Sequence, residues 1–473
     1  MSEPAGVLGA ATAHVNVSGQ PPTPTRRGTE LTMLGFVMGL LVFAFVIILE
    51  NENRTFSPDV LLYLGGLLGL FVVSHLAIRT FAPYADPLIL PCAAMLNGLS
   101  VAMLYRLDPA IAHSNAAPKQ MLWMVLSIAA MAGTLWLVKD HRTLARYGYT
   151  FGLVGLFLLV LPGLLPCSLS CVGGAKLWIL IGPVSVQPGE FAKILIIVFV
   201  AAFLVAKRDL FTIAGRKVLG VELPRLRDTG PLLVAWAVAI GVLMIEKELG
   251  ASLMFFGAVL AMIYLATERA SWVWIGIVLF MGGATVAYKL FTHVQTRVTN
   301  WIDPFADAQG DGYQMVQSLF SLGSGGVVGS GFGAGHPDIV PVVSSDFIVS
   351  AFGEELGFVG LTAIVLVYLV LAMRGLRSAL AVRDTFGKLL AGGLSFLLMW
   401  QVFVVVGGVS KLIPQTGLTA PFLSAGGSSL AASYIMIALL LRVSDAARRP
   451  QVARPKPHTP IAQASTVLVE RPT

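Results

Sequence analysis

The chain's most constraining feature is a succession of long apolar runs joined by mostly short polar connections. A bilayer core about 30 Å thick needs roughly 20 apolar residues per helix. Twelve runs approach that length: 32–49, 60–78, 88–105, 121–138, 148–166, 192–206, 229–245, 249–267, 272–290, 347–373, 389–410 and 426–442. The sequence therefore predicts an all-α, polytopic integral membrane helix bundle of about twelve spans. Soft boundaries leave a count of ten or eleven open.

The low charge content supports this class. Charged residues make up 12% of the chain and apolar residues 56%, whereas soluble proteins are roughly 25% charged. This composition excludes a soluble enzyme.

The positive charge reports orientation. The 32 Lys and Arg exceed the 25 Asp and Glu, for a net charge of +7. With the N-terminus inside, most of these cations fall in the inner connections, chiefly in the loop 207–228 and the C-terminal segment. The positive-inside rule then places both termini in the cytoplasm. Contact with anionic lipid heads explains the basic segments, so no nucleic-acid partner is expected.

The two ends of the chain lack long apolar runs. Residues 1–31 predict a disordered cytoplasmic tail, and 444–473 predict a basic cytoplasmic tail. In the outer connection after the fifth span, Cys167 and Cys171 could form a disulfide or stay reduced, because spacing alone does not fix the geometry.

One outer connection, 291–346, is much longer than the others, and long loops are usually functional or disordered. It carries three acids at spacing four, Asp303, Asp307 and Asp311. Proline and glycine residues between them break any helix, so we expect no helical stripe of carboxylates. Residues 323–335, hereafter the glycine segment, predict a tight surface or re-entrant path rather than a phosphate-binding loop.

A few ionisable residues lie within or at the ends of the spans, where they are costly and often functional. Glu190 and Lys193 stand three apart and are expected to pair on one helix face. Glu354, Glu355 and Lys411 lie near outer helix ends. Structural, paired charges are the alternative interpretation for each.

Several motifs in order resemble the SEDS family (shape, elongation, division and sporulation; the RodA, FtsW and SpoVE type). Q-P-x-E-F-x-K occurs at 187–193, and G-Y-Q at 312–314. D-F-I with E-E-L-G follows at 346–357, a P-x-x-G-L-T-x-P element at 414–421, and G-G-S-S-L at 426–430. The family's Q-P-D-L-G-T element departs strongly here, as 246–251 read EKELGA.

The resemblance implies a ten-span core over 88–443 and an additional N-terminal pair over 32–78. It implies a peptidoglycan glycosyltransferase of the bacterial cytoplasmic membrane, most similar to the RodA-type elongation branch. Lipid II would be the substrate, a class B penicillin-binding protein the partner, and Mg²⁺ or Mn²⁺ a helper ion.

The resemblance also assigns residues. Aligning on G-Y-Q carries the family's catalytic aspartate to Asp307, which would act as general base or share a metal ion. The residues expected to contact substrate are Lys193, Glu190, Arg297, Gln314, Asp346, Glu354, Glu355, Lys411, Ser428 and Ser429. Lys411 is favoured for the diphosphate.

Two other functions stay open at this point. Twelve spans with both termini inside also describe a two-halves carrier, such as a flippase for lipid-linked precursors, although the halves show no evident repeat. A non-catalytic scaffold of the cell-wall machinery is the third interpretation.

Overall fold

A computed structural model describes residues 25–111, 114–172, 175–182, 184–207, 216–218, 221–223, 241 and 249–450. Its helices are α1 (Arg27–Asn51), α2 (Pro58–Phe81), α3 (Ile89–Leu107), α4 (Ala116–Leu137), α5 (Arg142–Arg146), α6 (Gly148–Leu164), α7 (Cys167–Ser170), α8 (Pro188–Ala206), α9 (Leu249–Thr267), α10 (Ala270–Leu290), α11 (Thr292–Ile302), α12 (Tyr313–Gly325), α13 (Ile348–Ala381), α14 (Thr385–Val409) and α15 (Gly427–Arg448).

The helices confirm an all-α integral membrane bundle. Within the described ranges, ten helices are long and apolar enough to span a membrane, and α6 is a shorter apolar helix at another predicted span. The predicted span 229–245 falls almost entirely outside the described residues. The first helix begins at Arg27, inside the segment predicted as a tail, and the last continues to Arg448, beyond the predicted end of the core. These two helices are longer than their predicted spans because polar residues extend α1 at both ends and α15 at its C-terminal end.

The small amount of β-structure lies in connections. The strands form three antiparallel hairpins: β1 (Cys171–Val172) with β2 (Ala175–Lys176), β3 (Ile179–Ile181) with β4 (Val184–Val186), and β5 (Arg216–Val218) with β6 (Val221–Leu223). A disulfide joins Cys167 to Cys171 across a Cα–Cα distance of 4.8 Å. Of the two alternatives left open by the sequence, the structure therefore contains the disulfide.

Contacts between connections agree with the predicted alternation of the spans. The Asp86 carboxylate, before α3, is bound by Arg448 at the end of α15 and lies 3.7 Å from Arg374 of α13. His141, before α5, bonds to Asp384 before α14 at 2.8 Å. All of these residues belong to segments that the charge pattern assigns to the inner side. The structure therefore places connections predicted to share the inner face next to one another.

The bundle encloses α3 most completely and leaves α10 the most exposed of the long apolar helices in the described part of the chain. The pair α1–α2 packs against α3 and α4, while α15 packs against α4 and α13 against α14. The additional N-terminal pair therefore covers one side of the core.

The long outer connection is largely folded rather than disordered. It contains α11, a 3-10 turn over Pro304–Asp307, α12 and a second 3-10 turn over Pro337–Ile339. Both helices are amphipathic and shorter than a span, because Pro304 and the glycines before α12 interrupt them. The three acids do not form a helical stripe, as predicted.

The glycine segment completes a break in α13. At Gly357 the helix adopts φ 66° and ψ −170°, which removes helical partners from neighbouring backbone groups. The segment replaces those partners through hydrogen bonds from Ser330 N to Glu354 O (2.9 Å), Gly331 N to Glu355 O (3.0 Å), Phe358 N to Gly326 O (3.0 Å) and Val359 N to Val327 O (3.0 Å). The glycine segment therefore supplies hydrogen-bond partners to the irregular backbone of α13, as membrane-spanning segments require.

Candidate active site at the outer face

Asp307 ends the 3-10 turn between α11 and α12, and its carboxylate is held by the following turn. Its Oδ1 accepts a hydrogen bond from Gly310 N at 3.1 Å, and its Oδ2 accepts one from Asp311 N at 3.0 Å. A carboxylate has about four lone-pair positions, so these two bonds fix its direction and leave acceptor capacity. The side chain is exposed and can therefore meet a ligand.

The glycines around Asp307 make this geometry feasible. A Cβ at position 310 would lie 2.3 Å from Oδ2 of Asp307, and one at 312 would lie 2.2 Å from the carbonyl oxygen of Pro304. Any side chain would displace either the carboxylate or the turn. The spacing of Gly310 and Gly312 thus has a direct function in orienting Asp307.

The two neighbouring acids have different surroundings. Asp303 caps the 3-10 turn by accepting from Phe305 N at 3.1 Å, while the carbonyl of Asp311 accepts from Asn300 Nδ2 at 2.8 Å. Among the described residues, no three His, Cys, Asp or Glu side chains form a group that could hold a metal ion. A single exposed carboxylate is one of the ligand types that Mg²⁺ uses while it keeps several of its waters.

Arg297 and Asp346 lie close to each other, and Arg297 belongs to the helix that precedes the Asp307 turn. Arg297, on α11, donates from Nη1 to Gln415 O at 2.8 Å. A Cβ at Gly417, whose φ is +72°, would lie 3.7 Å from both the Arg297 guanidinium and the Asp346 carboxylate. Burial raises the pKa of Asp346, while a hydrogen bond from Ser345 and the charge of Arg297 oppose that rise. The structure thus brings two predicted substrate residues together as an interacting pair.

Lys411 follows α14 and lies close to the end of α11. Its carbonyl accepts from Trp301 Nε1 at 3.1 Å, its φ is +61°, and the residue is half-buried. Gln314 is half-buried in the first turn of α12. Both residues therefore lie on elements that flank the Asp307 turn.

A second group lies deeper, between α8, α14 and α15. Lys193 Nζ bonds to Glu190 Oε2 at 2.5 Å, as the spacing predicted, and to Gln401 Oε1 at 3.0 Å. The network continues from Gln401 Nε2 to Thr419 O (2.8 Å) and from Thr419 Oγ1 to Ser429 Oγ (2.8 Å). Lys193 is only 1% exposed, so its ammonium faces the bundle interior.

Ser428 joins the same region by accepting a hydrogen bond from Gln187 N at 2.9 Å. The connection that carries Thr419 also binds the outer loop, because Ser424 Oγ donates to Ser345 O at 2.6 Å. The residues 414–429 therefore touch both the buried network and the loop that contains Asp346.

Glu354 and Glu355 form a third, buried group on α13. Glu354 accepts from Ser321 Oγ at 2.6 Å and from His336 N at 2.7 Å. Glu355 accepts from Arg106 Nε at 3.0 Å and from Gly333 N at 2.9 Å. Their carboxylates thus hold α12 and the glycine segment.

Sequence reasoning missed Arg106, Gln401, Thr419 and Ser321. Arg106 carried a usable signal, since an arginine at the end of an apolar span implies a partner or an interface. The others are ordinary polar residues whose role depends on distant contacts.

Comparison with known proteins agrees with this arrangement. The family model of cell cycle proteins of the FtsW/RodA/SpoVE type matches residues 86–449. The chain is 53% identical over 456 residues to peptidoglycan glycosyltransferase RodA of Mycobacterium tuberculosis, covering 95% of this chain and 97% of that protein. It is 31% identical over 395 residues to stage V sporulation protein E of Bacillus subtilis, covering 83% and 98%.

Solved structures share the fold. A chain of a peptidoglycan synthase complex, in a study of how polymerization and crosslinking are coordinated, superposes with a TM-score of 0.61. It is 24% identical, and the match covers 76% of this chain and 97% of that one. With its motifs, its bundle and a family match over residues 86–449, the chain belongs to the FtsW/RodA/SpoVE family.

Proposed function

We propose that the chain is a peptidoglycan glycosyltransferase that polymerises lipid II at the outer face of the cytoplasmic membrane, in the elongation role of RodA-type proteins. The observation that carries the proposal is the Asp307 carboxylate, fixed by Gly310 N and Asp311 N yet exposed. The 53% identity to a named peptidoglycan glycosyltransferase over 95% of the chain supports the reaction class.

The reaction joins the acceptor sugar's 4-hydroxyl oxygen to the donor's anomeric carbon and breaks the bond between that carbon and the lipid diphosphate. Asp307 accepts the hydroxyl proton as the new bond forms, and the diphosphate leaves with the electron pair. An aspartate carboxylate is a weak base, so its fixed direction must supply much of the advantage.

The leaving diphosphate needs positive charge. Lys411 and Arg297 lie on elements beside the Asp307 turn and are our candidates to meet it. Alternatively, Asp307 would hold Mg²⁺ or Mn²⁺, which would supply further positive charge there. Lys193 is paired with Glu190 inside the bundle and would act on substrate only where substrate enters that interior.

The partner is proposed as a class B penicillin-binding protein, which would crosslink the strands that this chain polymerises. The likeness to a chain of a peptidoglycan synthase complex supports this pairing.

The test is reconstitution of the full-length chain in liposomes with labelled lipid II, with and without the partner. We expect glycan polymer from the wild type and a loss of about a hundredfold or more in rate for Asp307→Asn. Asp311→Asn is the matched control, because its side chain is exposed and its backbone N–H remains available to Asp307. A folded Asp307→Asn protein that polymerises at the normal rate would refute the assignment. Movement of lipid II between leaflets without polymer would instead indicate a carrier.

A further inference from the structure

The α1–α2 pair lies outside the family match, which begins at residue 86, yet it is joined at its inner end to the connection before α3 and at its outer end to the core. At the inner end, Arg27 donates to the Ala85 carbonyl and to Glu30. Glu30 also accepts from His75 of α2 at 2.8 Å. The pair is therefore fixed in place at its inner end and does not merely rest on the bundle.

At the outer end, the last turn of α1 touches the glycine segment directly. Asn51 Nδ2 donates to the Phe332 carbonyl at 2.8 Å. A Cβ at Gly333, whose φ is +90°, would lie 3.0 Å from Ile48 Cα. The backbone of the end of α1 therefore packs closely against the backbone of the glycine segment.

The connection that follows α1 supplies a charge to the network around α13. Arg106 Nε lies 3.4 Å from Glu52 Oε1 and donates to Glu355 Oε1 at 3.0 Å. Arg106 also donates to the Gly335 carbonyl at 2.5 Å, and Glu52 is bound by Arg54 at 2.9 Å. Two arginines and two carboxylates alternate, and one carboxylate comes from the N-terminal pair. Removing Glu52 leaves Arg106, only 6% exposed, with one carboxylate fewer.

These contacts continue to the Asp307 turn through packed groups. Glu355 holds Gly333 N, and the adjacent Glu354 holds Ser321 of α12. The first residue of α12 follows the Gly310–Gly312 turn that orients Asp307. Between these hydrogen bonds the path runs along the backbone of α13, from Glu355 to Glu354, and along α12 from Ser321 back to its first residue.

We propose that the α1–α2 pair is a positioning element of the reaction, in which Asn51 and Glu52 hold the glycine segment and Arg106 and thereby fix α12 and the Asp307 turn. This inference rests on the proposed function. Asn51 and Glu52 are positioning residues and need not touch substrate.

The experiment uses the full-length chain with its partner in lipid nanodiscs, labelled lipid II as substrate, and two readouts. Asn51→Ala and Glu52→Gln are each expected to lower kcat about five- to tenfold with KM within about twofold, the size of long-range coupling in proteins. Amide hydrogen exchange in the glycine segment should rise by a similar factor. Glu50→Gln, on the exposed neighbouring position, is the matched control and should change neither readout.

The outcomes separate the two proposals. Asp307→Asn should lower polymerisation about a hundredfold or more while leaving exchange in the glycine segment unchanged. A wild-type protein without polymerase activity would refute the proposed function, whereas the exchange measurements test the contact separately. Faster exchange in Asn51→Ala and Glu52→Gln with unchanged kcat would overturn the positioning role. Unchanged exchange would overturn it as well, because the glycine segment would then not depend on the N-terminal pair.

Discussion

The contact between the glycine segment and α13 can be tested by two alanine substitutions that differ in one respect. Gly326 and Gly329 both have positive φ, +51° and +87°. A Cβ at 326 would meet nothing within 4 Å, whereas one at 329 would lie 2.3 Å from the Glu355 carbonyl oxygen. Both substitutions therefore place a side chain at a positive φ, which costs about 1–3 kcal/mol, and only Gly329→Ala adds a clash with backbone.

The added cost follows from what the clash displaces. The segment would have to move away from α13, so the amides of Ser330 and Gly331 would lose their bonds to the Glu354 and Glu355 carbonyls. Each bond contributes about 1 kcal/mol net, so Gly329→Ala should cost about 2 kcal/mol more than Gly326→Ala. That difference corresponds to roughly thirtyfold in a local opening equilibrium.

The assay is hydrogen–deuterium exchange of the full-length protein in nanodiscs, followed by mass spectrometry of peptides covering residues 326–335. We expect those amides to exchange roughly thirtyfold faster in Gly329→Ala than in Gly326→Ala. Peptides from α4, remote from the segment, serve as the internal control. Equal exchange in the two variants would refute the account of the helix break given above.

Two further predictions concern buried charges. Lys193→Met should destabilise the protein by about 3 kcal/mol because it leaves Glu190 buried and unpaired. In thermal unfolding, the double variant Glu190→Gln with Lys193→Met should recover part of that loss. A double variant no more stable than Lys193→Met alone would contradict the pairing. Asp346 has a raised pKa, so the folded state binds its proton more tightly than the unfolded state. Its contribution to stability is therefore constant below about pH 4 and declines as the pH rises through the folded-state pKa. Thermal unfolding of Asp346→Asn should not show this decline between pH 4 and 7. Identical pH profiles of stability for Asp346→Asn and the wild type would contradict the raised pKa of Asp346.

The sequence predicts most of the bundle because a membrane span is a local property. Twenty apolar residues identify a span without reference to any other part of the chain, and the Glu190–Lys193 pair follows from helical spacing alone. The interruption of helices around Asp307 was predictable in the same way, from Pro304 and Gly310.

The remaining features depend on contacts that spacing does not encode. Gly357 lies within the predicted span 347–373, and nothing local distinguishes a glycine that breaks a helix from one that packs within it. Its role becomes visible only when Ser330 and Gly331 are placed against Glu354 and Glu355. Arg106 and Glu355 are likewise far apart in sequence. The disulfide between the two outer cysteines could not be predicted from their spacing, because its formation depends on the distance and orientation of the two side chains.

The enclosure of α3 has a consequence for how the chain is made. Among the ten long apolar helices of the described ranges, α3 is the least apolar and the most enclosed, and it contains Asn97 and Arg106. Such a segment partitions into lipid reluctantly when it leaves the ribosome. The strongly apolar pair before it packs directly against it and reaches the bilayer earlier during synthesis. The pair thus offers α3 a protein surface in place of lipid at the moment of insertion, which gives the N-terminal helices a part in biogenesis as well as in the finished enzyme.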